Sequence, residues 1–175
     1  MIESEENARD LAGLAVPRSG RLIATGEDAE PYRLLDGSGV VVDAAAVFLR
    51  ELLAAGRSAP TLRSYGMDVL RWWRFLQAVD VDWDRASRVE ARDFSCWIQL
   101  TVKQRRQVDR SSGTYWANGR AGEPNSITGK PALGDGYAPA TVAHSETDLR
   151  RFYDFQRDAG TGPILNPFPL DPSRR

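Results

Sequence analysis

Two aspartates stand in matching places in this chain, each with an arginine three residues on: Asp68 with Arg71, and Asp148 with Arg151. Paired carboxylates can divide acid and base work when their surroundings pull their proton affinities apart. At i,i+3 on a helix, however, Asp and Arg form a surface ion pair, and that is what the spacing predicts here. The other reactive residues are sparse. A single Cys96 excludes an internal disulfide framework and a Cys-rich zinc site, and a single His144 excludes a multi-histidine metal centre. No GxxxxGK phosphate loop and no Ser-nucleophile elbow occurs. No cofactor is expected.

The two aspartates belong to two stretches that read alike. TLRSYGMDVLRWWRF starts at Thr61 and TVAHSETDLRRFYDF starts at Thr141, 80 residues later, and each follows closely on an Ala-Pro. In the first, Leu62, Tyr65, Val69, Trp72, Leu76 and Val79 recur at alternating steps of three and four. In the second, Val142, Ser145, Leu149, Phe152 or Tyr153, and Gln156 do the same. Both patterns predict amphipathic helices with one buried stripe. Similar burial therefore explains most of the likeness. It does not explain Thr61 and Thr141, which fall in first turns where backbone N–H groups are free for an anion or a cap.

Two further helices complete the set. AAAVFLRELLAAG, with Asp43 as cap and Gly56 as stop, spaces Ala45, Phe48, Leu49 and Leu52 helically. Another, from about Val89 to Gln107, puts Phe94, Trp97, Ile98 and Thr101 on one face and ends in the basic run KQRRQ. Before them, YRLLDGSGVVVD predicts a small hairpin around Asp-Gly-Ser-Gly. Residues 1–30 read as a mobile acidic arm, and residues 108–138, rich in Gly, Pro, Ser and Asn, as a long loop before the last helix. NPFPLDPSRR, residues 166–175, reads as a Pro-rich extended exit within a linker over residues 163–175.

The chain has 175 residues, enough for one domain, and its five Trp supply ample apolar area for a core. Its net charge of −1 conceals an asymmetry. Residues 1–49 carry four Arg against nine carboxylates, whereas residues 50–157 carry seventeen basic side chains against thirteen. A mildly basic middle suits a nucleic-acid partner without requiring one. No apolar run is long enough to span a bilayer and the start is acidic, so no membrane association and a cytoplasmic location are expected.

The order APTLRSYGMDVLRWWRFL, then FSCWI, then YAPATVAHSETDLRRFYDFQRDAG and NPFP resembles the N-terminal core-binding domain of tyrosine recombinases, the phage-integrase family, in its actinobacterial style. The resemblance covers roughly residues 43–168. It implies an all-α, SAM-like bundle of four to five helices that clamps double-stranded DNA, with residues 31–162 as the DNA-binding domain. In such a domain two crossed helices meet the major groove, and by position these are the two similar stretches. Thr61, Arg63, Ser64, Tyr65 and Arg71 become candidate DNA contacts on the first, with Thr141, His144 and Arg151 on the second. Lys103, Arg105, Arg106 and Arg110 become candidate phosphate contacts near the end of the intervening helix.

The same resemblance implies that the chemistry lies elsewhere. The family's catalytic domain carries an Arg, a Lys, a His-x-x-Arg motif and a nucleophilic Tyr. Here His144 is followed at +3 by Thr147, and no tyrosine has the partners that would activate it. The expectation is a non-catalytic DNA-binding portion of an integrase, with residues 163–175 leading towards an absent catalytic domain. A regulatory fragment that associates with a full-length recombinase, or with its catalytic domain, is the alternative.

Overall fold

The computed structural model describes residues 9–100 and 137–170. Among these it contains a two-stranded antiparallel hairpin, β1 (Arg21–Glu27) and β2 (Glu30–Leu35), followed by α1 (Asp43–Ala54) and α2 (Ala59–Ala78). A 3₁₀ turn (Trp83–Arg85), α3 (Arg88–Leu100) and α4 (Pro139–Asp158) complete it. Four helices and a short N-terminal hairpin agree with the expected SAM-like bundle.

The hairpin sits one step earlier than YRLLDGSGVVVD predicts. Its turn lies between Glu27 and Glu30, and β1 comes from the stretch expected to be an arm. Gly26, at φ 81°, takes up a register shift that an L side chain would resist. The Asp36-Gly-Ser-Gly segment does turn, but it closes only a single bridge, Leu35 to Val41. There the Asp36 carboxylate accepts from the N–H groups of Ser38 and Val40 at 2.8 and 2.9 Å.

Residues ahead of β1 also lie against the helices. Leu11, Leu14 and Val16 pack on the core edge. The Arg74 guanidinium donates to the carbonyls of Arg18, Ser19 and Gly20 at 2.7–3.1 Å. Arg9 bridges the α3 carboxylates Glu90 and Asp93 at 2.8 and 2.9 Å. Within α3, Glu90 also accepts from the backbone and hydroxyl of Ser87, a reciprocal N-terminal cap. Burial works to raise the Glu90 carboxyl, but the bonds from Ser87 and Arg9 win and hold it below the ordinary range.

The helix boundaries follow the expected punctuation. Pro60 and Pro139 occupy the first turns of α2 and α4, where a missing N–H costs nothing. Gly56, at φ 76°, ends α1, with Arg57 N–H reaching back to the Leu52 carbonyl at 3.0 Å. Asp43 is not the cap: Val42 holds that position, and Asp43 is the first helical residue, where its charge suits the macrodipole.

The core is an aromatic layer centred on α2. Trp72 stacks on Phe75 and meets Phe94, Tyr153 and Phe168 edge-on at 5.1–6.3 Å. Phe168 is 4% exposed, so the Pro-rich exit is part of the core at this point rather than a free linker. Asn166 donates to the Arg150 carbonyl and the Asp154 carboxylate, and Arg150 donates to the carbonyls of Phe168 and Pro169. At the centre, Trp72 Nε1 donates to the Tyr153 hydroxyl at 2.7 Å, which donates in turn to the Trp83 carbonyl at 2.9 Å. Burial pushes the Tyr153 phenol upward, so it stays neutral.

That relay yields a stability prediction. Tyr153→Phe keeps the ring but strands the Trp72 N–H and the Trp83 carbonyl, and should cost about 1–3 kcal/mol in urea denaturation. A loss within error of zero would show that the relay does not stabilise the fold.

Candidate nucleic-acid interface

Four positions on α2 fall on one stripe: Thr61, Ser64, Asp68 and Arg71, at steps of three, four and three. The same steps on α4 give Thr141, His144, Asp148 and Arg151. At 3.6 residues per turn each set lines one side of its helix. The two stripes meet at their aspartates. Ser145, beside His144 on α4, donates to Asp68 Oδ1 at 2.8 Å, and Arg71 donates to the same oxygen at 2.7 Å.

This crossing corrects the ion-pair expectation. Asp68 and Asp148 are 6% and 2% exposed, so neither is a surface carboxylate. The Asp68–Arg71 pair exists, but Asp148 turns inward towards Asp68 while Arg151 stays exposed. One Asp148 oxygen, Oδ2, is buried without a hydrogen-bond partner, 3.5 Å from His144 Nε2. Burial raises the Asp148 carboxyl to about 7; nearby His144 and Arg151 oppose the rise, and Asp68 adds to it. Asp148 therefore keeps its proton well above the usual carboxylate range.

Asp68, His144 and Asp148 also bring one donor atom each within 4.8 Å of one another. A metal ion there would compete with the Arg71 guanidinium for Asp68, and like charge disfavours it. The cluster suits a proton better.

The other expected contact residues divide clearly. Thr141, His144, Arg151 and Arg63 are exposed. Arg63 lies about 100° round α2 from Ser64, so it borders the stripe rather than joining it. Thr61 shares a hydroxyl hydrogen bond with Ser58 at 2.9 Å. Tyr65 is half-buried, its ring edge-on to Phe48 at 5.7 Å, which makes it a core residue first. Arg71 is held by Asp68 and lies over the Tyr137 ring at 5.0 Å, so it is a positioning residue more than a free cation. Arg150, another basic residue near the second helix start, is spent on the exit carbonyls. Lys103, Arg105, Arg106 and Arg110 lie outside the described residues, as does the loop expected over 108–138 up to residue 136.

No side chain hydrogen-bonds as a cap at the N-terminus of α2 or α4. Pro60 and Pro139 carry no N–H and the Thr141 N–H is bonded to the Ala138 carbonyl at 2.8 Å, so what these ends offer an anion is chiefly the macrodipole. Half a turn round α4 from the stripe, an open groove of about 1290 Å³ runs between α3, α4 and the exit, with Arg88, Arg92 and Arg150 among its lining residues. No sequence signal pointed to that groove.

Residues 46–112, from within α1 past the end of α3, match the family model described as the phage integrase N-terminal SAM-like domain. The match takes in 67 of the 175 residues, and over that stretch the sequence is similar to the SAM-like domain of phage integrases. Searches of curated proteins and of solved structures give no match. The SAM-like match ends before α4, whose pairing with α2 therefore rests on the structure alone. No described helix is long and apolar enough to cross a membrane.

The buried pair makes a prediction with a definite sign. Below about pH 4 Asp148 is protonated folded or unfolded; between its ordinary 3.8 and about 7 only the folded state keeps the proton. Its contribution to stability is thus full at low pH, declines as pH rises through that window, and levels off above it. Asp148→Asn, a neutral isostere, should remove the decline. Its melting temperature relative to wild type should climb from pH 4 to 7 and then stay constant; a difference independent of pH would show that Asp148 is ionised in the fold.

Proposed function

We propose that this chain is a DNA-binding module of the integrase type, with the α2–α4 crossing as its DNA-facing surface and no strand-cleaving chemistry of its own. The observation that carries the reading is the pairing of two like stripes, Thr61–Ser64–Asp68–Arg71 and Thr141–His144–Asp148–Arg151, at one crossing. The integrase SAM-like match supports a nucleic-acid role for the helices that frame it. Duplex DNA offers phosphates on both walls of a groove, and two helix N-termini with exposed Thr141, His144 and Arg151 suit those oxygens. Arg63 reaches the same surface from its edge. Ser64 and His144 are the candidates for base edges, and Arg71 and Tyr65 hold the frame. Lys103, Arg105, Arg106 and Arg110 enter on the family resemblance alone, as phosphate contacts.

The lack of a His-x-x-Arg motif around His144 favours a binding role over a catalytic one. Tyr153, whose hydroxyl is committed to Trp72 and Trp83, and Tyr65, packed on Phe48, are poorly placed as nucleophiles.

A labelled generic duplex titrated by fluorescence anisotropy across a salt series tests this. Affinity should fall linearly in log–log form, and Arg63→Ala or Arg151→Ala should each lower the slope by about 0.9 if it contacts one phosphate. Binding that ignores salt, or slopes unchanged in both variants, would remove this face from the DNA interface.

A further inference from the structure

Beneath the proposed DNA face lies a charge that is not fixed. We propose that duplex binding at the α2–α4 crossing is linked to a single proton shared by Asp68 and Asp148, so that the module binds DNA more tightly when the pair holds that proton. The inference rests on the DNA-face reading and adds its regulation.

The geometry carries it. Asp148 Oδ2 is buried and without a hydrogen-bond partner, and its side chain faces Asp68 across the crossing. Asp68 Oδ1 is filled by Ser145 and Arg71, so a proton on Asp148 has the rest of that carboxylate to donate to. The charged groups around the pair come from both helices. On α2, Arg71 neutralises Asp68. On α4, His144 stands 3.5 Å from Asp148 and Arg151 lies near enough to oppose its protonation. Tyr137, just before α4, covers the outer face of Arg71. With the proton in place, Arg71 balances the one remaining negative charge. Without it, a second buried negative charge lies directly behind His144 and Arg151.

An approaching phosphate repels that second charge and favours the protonated pair, and by reciprocity the protonated pair favours the phosphate. The proton comes from solvent, joins an Asp148 oxygen, and leaves when pH rises; no other bond changes. The ordering at the crossing changes with it, because the shared proton is also a hydrogen bond between α2 and α4.

The test is duplex affinity at fixed ionic strength from pH 6 to pH 8, using anisotropy and the generic labelled duplex. His144 Nε2 stands 3.5 Å from Asp148 Oδ2, so the decisive comparison is made in a His144→Gln background. There affinity should still fall towards high pH, by up to about tenfold if binding requires a proton whose midpoint is near 7. Adding Asp148→Asn should make the profile flat. If Asp148→Asn fails to fold, Asp148→Ala removes the same carboxyl and should flatten the profile too. A slope abolished by His144→Gln alone, or one that survives the Asp variant, overturns the proposal. Absence of duplex binding at every pH overturns the DNA-face reading and the linkage with it. The pH dependence of melting would then still report whether the free protein shares the proton, which separates the two failures.

Discussion

The crossing of α2 over α4 is the constraint on which the rest of this fold depends. It is pinned at two levels. Deep in the core, Trp72 and Tyr153 lock the helices through ring contact and a hydrogen bond that ends on the Trp83 carbonyl. Nearer the surface, Ser145, Arg71 and the two aspartates form a second contact made of polar groups. Apolar packing tolerates sliding and repacking, whereas hydrogen bonds between buried polar groups tolerate little. The lower layer supplies stability, and the upper layer sets the relative position of two stripes of side chains.

The likeness of the two helices then has a physical origin in two parts. Positions such as Leu62 and Val142, Val69 and Leu149, and Trp72 and Phe152 match because each is buried in the same core. Asp68 and Asp148 match for another reason: they meet. Where two helices cross face to face, equivalent positions come together, and a carboxylate placed on both is brought against its own counterpart. Such a contact is unfavourable unless a proton or cation intervenes. Arg71 does so for Asp68, while on α4 the corresponding Arg151 remains exposed. The symmetry of the sequence is broken in the structure at this point, and the leftover charge falls on Asp148.

The apolar stripes were legible from the sequence because a period of three and four reports burial directly, and Leu62, Val69, Trp72, Val142, Leu149 and Gln156 are all buried as that period predicts. The family resemblance was legible at the helix start of Thr61, which falls within the matched residues 46–112, whereas Thr141 lies beyond them. The aspartates were not legible. An Asp with Arg at i+3 looks the same on a solvated face as in a crossing, and the deciding neighbour lies 80 residues away. The packing of Arg71 on Tyr137 and of Tyr65 on Phe48 was hidden for the same reason, because both partners are tertiary. β1 escaped notice because its turn, Asp28-Ala29, lacks the Asp-Gly or Asn-Gly signature, and Gly26 does its work one residue before the strand ends. Ser87-x-x-Glu90 was a readable cap. Its use of Arg9, from far outside the helix, was not.

Arg9 and Arg74 show how acidity near the start of the chain coexists with a basic middle. Both arginines tie the first described residues to the helices, but through opposite chemistry. Arg74 caps three backbone carbonyls, and burial lowers its proton affinity. Arg9 instead neutralises two carboxylates of α3, and its bond to Glu90 raises its own affinity. Glu90 and Asp93 are both buried, within the region of the SAM-like match, and without Arg9 would keep only Ser87 and a longer Arg92 contact as partners. The strand–helix contacts therefore do more than cover apolar surface. They cancel negative charge on α3 at Glu90 and Asp93.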